Sequence, residues 1–77
     1  MNNENILYKA ISYDKKMVIL LLERCDKSYI VDCTINDNHT AYKVYDKHIA
    51  MLTWRQKVKD LKRFDKFVIV PPIGQLA

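Results

Sequence analysis

From residue 6 to residue 45 the chain alternates between short apolar-rich runs and clusters of turn-forming residues. The clusters are YDKK at 13–16, CDKS at 25–28 and NDNH at 36–39. Runs of about six to eight strand-favouring residues separate them, which predicts an antiparallel meander. A two-residue turn at Asp26 and Lys27 would set Leu22 opposite Val31, Leu20 opposite Cys33 and Val18 opposite Ile35. The other face of that hairpin, with Ile19, Leu21 and Ile30 beside Glu23, Asp32 and Thr34, is mixed. A dry face and a partly wet one suit an antiparallel sheet. With residues 36–39 as the next loop, Tyr42 would face Cys33 and Lys43 would face Asp32, an opposite-charge cross-strand pair. Neither turn carries the Asn-Gly or Asp-Gly signature of a tight hairpin, so a slip of one residue stays open.

Residues 6–24 fit two patterns. On a helical wheel Ile6, Leu7, Ala10, Ile11, Met17, Val18, Leu21 and Leu22 share a broad face, which Asp14 interrupts. The β-branched and aromatic content, broken by DKK, favours two strands over one helix.

The period then changes. Across residues 46–64, DKHIAMLTWRQKVKDLKRF, a spacing of 100° per residue gathers Ala50, Met51, Trp54, Val58, Leu61 and Phe64 on one side. Two helix starts compete. Asp46 could cap, but Lys47 and His48 would then oppose the helix dipole. Thr53 with Gln56 fits a capping box and favours a helix from about 54 to 64, with the preceding residues extending the third strand or bridging to the helix. After the helix, FVIV at 67–70 reads as a short strand ended by Pro71 and Pro72. Being wholly apolar, it predicts cover on both faces or pairing with another subunit.

The fold class is therefore α+β. A small antiparallel meander of three to four strands carries one C-terminal amphipathic helix on one face, then a short terminal strand. At 77 residues the chain forms a single domain. So short a chain buries only about 60–65% of its extended surface, which leaves little room for a deep cleft. Half the residues are apolar and only one is glycine, a globular rather than disordered balance. The longest apolar run, MVILLL at 17–22, is far below the roughly 20 residues that span a bilayer. MNNEN at the start lacks the basic and apolar regions of a secretory signal, so a cytoplasmic location is expected.

The candidate chemistry is sparse. Cys25 and Cys33, with seven residues between them, have no zinc-like grouping with His39 or His48. In the hairpin above they lie about five positions, or about 17 Å, apart, too far for a disulfide. Two free thiols in a reducing compartment are expected. Either histidine could act as a general base, yet no nucleophile setting or glycine-rich phosphate loop accompanies it. No enzyme, cofactor or metal is expected.

Charge is more informative. Residues 1–45 balance six Lys/Arg against six Asp/Glu, whereas residues 46–66 hold seven basic and three acidic residues, the whole net charge of +4. Arg55, Lys59, Lys62 and Arg63 form a stripe about 100° wide beside the apolar helix face, with Lys66 following. That stripe is a candidate nucleic-acid contact through phosphates, or a contact for an acidic protein. An exposed basic helix face is also ordinary surface decoration.

The stronger expectation is a non-enzymatic protein-interaction module, a small inhibitor, adaptor or regulator, working through a sheet face or edge. One helix covers only one side of a sheet. The mixed face, with Leu21, Ile30 and Tyr45 as its candidate contacts, then needs a partner or a second copy of the chain.

Overall fold

The computed structural model describes residues 4–70. Five strands and one helix follow in the order β1 (Glu4–Ser12), β2 (Met17–Arg24), β3 (Tyr29–Ile35), β4 (Asn38–Val44), α1 (Lys47–Leu61) and β5 (Phe67–Val70). The strands form one antiparallel sheet in the order β4-β3-β2-β1-β5. Residues 6–24 are thus two strands and not a helix. The first four strands are a meander, and α1 carries the chain across the sheet so that β5 can add to β1. Pro71 and Pro72 lie outside the described residues.

The turns explain the register. At the β2–β3 connection the Lys27 amide donates to the Arg24 carbonyl at 3.2 Å, and the Arg24 amide donates to the Ser28 carbonyl at 2.9 Å. Lys27 holds a left-handed φ of 67°. This is a three-residue loop, a turn followed by a left-handed residue, not the two-residue loop the sequence suggests. Asp26 stabilises it by accepting from the Ser28 amide at 3.0 Å and from the Ser28 hydroxyl. The extra residue slips β2 by one against β3, so Leu21 faces Val31 and Ile19 faces Cys33. Because side chains alternate, that slip turns all of β2 over relative to β3.

The next loop is shorter than expected. Asn36 and Asp37 alone connect Ile35 to its partner Asn38, with Asn36 at φ 55°. Asparagine tolerates that conformation better than most residues. The register moves by two residues, which preserves facing but changes partners. Lys43 pairs with Ile30 rather than Asp32. Its ammonium lies 3.8 Å from Asp26, while Asp32 meets His39 at 2.7 Å.

The helix begins early. Asp46 is the N-cap, accepting from the Ile49 amide at 3.0 Å. Thr53 is no cap: it lies mid-helix and its hydroxyl donates back to the Ile49 carbonyl at 2.8 Å. A satisfied N-cap is worth about 1 kcal/mol, which outweighs the few tenths that exposed Lys47 and His48 cost against the dipole. The helix stops at Leu61, so Phe64 falls past its end and is exposed rather than continuing the apolar face.

The core lies between α1 and the centre of the sheet. Trp54, Ala50 and Val58 pack on Ala10, Ile19, Leu21, Val31 and Cys33. Trp54 stacks on Tyr8 with ring centroids 5.1 Å apart. Burying an indole of this size contributes on the order of 5 kcal/mol.

Candidate functional site

Among the described residues no helix lies on the far side of the sheet. Across β4, β3, β2, β1 and β5 its rows read, by pairing, His39, Thr34, Val18, Ile11, Val68, and then Ala41, Asp32, Leu20, Lys9, Val70. A third row runs Lys43, Ile30, Leu22 and Ile6 among the described residues. The middle of the face is apolar. Ile6, Val68 and Val70 are exposed, and Val18, Leu20, Ile30 and Ile11 are half-buried. Leu22 is 8% exposed. Large contiguous apolar patches are uncommon on small monomers.

Polar groups on this face are few and placed in order. In the middle row Asp32 and Lys9 sit one strand to either side of Leu20. Asp32 is engaged by the His39 ring, while Lys9 has no ion-pair partner among the described residues. At the lower end Arg24 pairs with Glu4 at 3.7 Å. Lys43 marks the β4 rim, between Asp26 and the exposed ring of Tyr45, whose centroid is 5.3 Å from its ammonium.

The residues expected to form the contact do not share a surface. Leu21 is fully buried under α1. Ile30 is on the open face, and Tyr45 is at its β4 margin, 73% exposed. The slip at Lys27 is the reason: it exchanges Ile19 and Leu21 for Val18, Leu20 and Leu22. What the sequence reading missed is which of the two apolar sides of β2 faces the core. FVIV carried a usable signal, since its complete apolarity called for two contacts. Phe67 and Ile69 pack toward the core, and Val68 and Val70 extend the open face.

The basic stripe lies on the other layer. Arg55, Lys59, Lys62 and Arg63 are exposed on and just beyond α1, and Lys66 is exposed in the link to β5. Arg63 folds onto its own segment, its Nε donating to the Asp60 carbonyl at 3.2 Å and its guanidinium lying 5.5 Å from the Phe64 ring. Lys57 leans the other way, over the Tyr42 ring at 5.1 Å.

Titratable groups elsewhere serve the turns. The Ser12 hydroxyl, then the Lys16 amide, hold the Asp14 carboxyl below its usual range. The Ser28 hydroxyl and amide do the same for Asp26. Burial pushes the Cys33 thiol up, while Cys25 is an exposed free thiol in the β2–β3 turn. Among the described residues no three His, Cys, Asp or Glu side chains gather as a metal-holding group, and no helix is long and apolar enough to cross a membrane. Comparisons with family models, with curated proteins and with solved structures give no match to this chain.

Proposed function

We propose that the protein is a non-enzymatic protein-interaction module that works through the open face of its sheet. The observation that carries this reading is the apolar surface of Val18, Leu20, Ile30, Ile11, Ile6 and Val68, over which no helix lies among the described residues. A sheet face of that composition gains by leaving water, at about 25 cal/mol per Å² removed. Asp32, Lys9 and Lys43 give it polar points that fix orientation rather than strength. Inhibitors, adaptors and regulators all fit this form of action.

The test is affinity capture from nuclease-treated native lysate, comparing the wild-type chain with Leu20→Asn and Ile30→Asn. Loss of the same bound proteins in both variants, with the fold retained by circular dichroism, is the expected result. An unchanged set of bound proteins in both would contradict the reading.

A second reading, nucleic-acid binding by the helix stripe, is favoured by one observation. Arg55, Lys59 and Lys62 are exposed and form no ion pair among the described residues. It predicts binding that weakens steeply with salt and disappears with Lys59→Glu plus Lys62→Glu. Retained nucleic-acid binding in that double variant removes the stripe as its site.

A further inference from the structure

We infer that the partner of the open sheet face is a second copy of this chain, stacked face to face about a two-fold axis that runs along β2. The inference rests on the interaction reading above and names its partner.

In the middle row Asp32 and Lys9 are spaced equally about Leu20, one strand to each side. A two-fold axis lying between the sheets and parallel to β2 lays β3 over the β1 strand of the second copy. It sets the Asp32 of each copy over the Lys9 of the other, twice by symmetry. Leu20, Leu22 and Val18 then meet their own equivalents at the axis, and Ile30 meets Ile6. A two-fold contact must be self-complementary, and the middle and third rows are, while the first row sets Thr34 over Ile11 and His39 over Val68. An axis running across the strands would instead set Asp32 against Asp32 and Lys9 against Lys9. The charges thus select one stacking direction.

The margins agree with the same axis. It lays β4 over β5, so Ala41, the smallest side chain of its row, falls on Val70. Lys43 sits in the third row, at the β4 edge of the sheet. Its ammonium has Asp26 at 3.8 Å. Arg24, at the lower end of the axis, already has Glu4 at 3.7 Å.

Size is sufficient. Five strands at about 4.8 Å spacing and about seven residues at about 3.4 Å give roughly 500–600 Å² per face. Two faces bury roughly 1,000–1,200 Å², about the lower bound of a specific interface. Stacked sheets pack about 10 Å apart with strands within about 30° of aligned, which lets a lysine reach a carboxylate across the gap.

Sedimentation equilibrium of the full 77-residue chain, across dilution at moderate salt, tests this. Wild type should show reversible dimerisation. Lys9→Asp and Asp32→Lys should each weaken the dimer by more than about tenfold, because each sets like charges face to face. The variant carrying both exchanges should recover most of that loss, which a general loss of folding does not allow. Circular dichroism of each variant checks that the fold is kept. A monomeric wild type, or a dimer that neither single exchange weakens, overturns the inference. So does failure of the double exchange to recover. A monomer whose captured proteins are lost in Leu20→Asn overturns the self-pairing alone and leaves the interaction reading intact.

Discussion

The indole Nε1 of Trp54 donates a hydrogen bond to the backbone carbonyl of Ile19 at 3.0 Å, across 35 positions of sequence. Helix and central strand are thereby joined by a directional contact as well as by packing. The bond ties the helix to the strand whose Ile19 and Leu21 pack beneath it. Trp54→Phe should lose the bond and some packing, costing roughly 1–3 kcal/mol. Trp54→Ala should cost roughly 3–5 kcal/mol and leave the chain marginal or unfolded. Urea denaturation followed by circular dichroism measures both.

The helix start can be tested by its two rival caps. Asp46→Ala should lower stability by about 1 kcal/mol, because the Ile49 amide loses its acceptor. Thr53→Ala should change it by less than about 0.5 kcal/mol, since its hydroxyl only bonds back within the helix. The reverse order in thermal or urea unfolding would move the start back to Thr53.

Asp14 and Asp26 give stability a defined acid limb. Their folded carboxyls titrate below the ordinary 3.8, held there first by the hydroxyls of Ser12 and Ser28. A depressed folded value means the contribution is complete above the unfolded value. It is lost as pH falls from about 3.8 through the lower folded value. Stability measured between pH 5 and pH 2 should therefore fall less steeply in Ser12→Ala and Ser28→Ala than in wild type. Equal slopes would mean the hydroxyls do not hold the carboxylates.

The two thiols should separate cleanly. Cys25 is exposed, whereas Cys33 is 3% exposed beneath the helix. One equivalent of thiol should react with a disulfide reagent within minutes in the native protein, and the second only at the rate of unfolding. Cys25→Ser should abolish the fast phase and leave the slow one.

These outcomes bear on how much of the molecule was legible in the sequence. The turn clusters located four strands and the change of period located the helix, because both signals depend on local spacing. Trp54, Val58 and Ala50 were placed on the core side correctly by the 100° rule. Facing within β2 was not legible. MVILLL is apolar at every position, so neither face announces itself, and facing is then decided by loop length. That length depends on Lys27 adopting a left-handed conformation usually given to Gly or Asn. The candidate contact surface inherited the error, which is why Leu21 was chosen and Leu20 was not. Tyr45 and Ile30 survived as surface residues because they lie beyond the effect of the β2 slip.

The central claim is that adjacent residues Leu20 and Leu21 lie on opposite sides of the sheet and do different work. The most direct measurement is urea unfolding of Leu20→Asn and Leu21→Asn side by side, at a dilution where any self-association is absent. Leu21→Asn should lose roughly 3 kcal/mol or more, as a polar group forced into a packed core does. Leu20→Asn should stay folded within about 1 kcal/mol of wild type, yet fail to associate when concentrated. Equal destabilisation of the two, or the larger loss at Leu20, would contradict it.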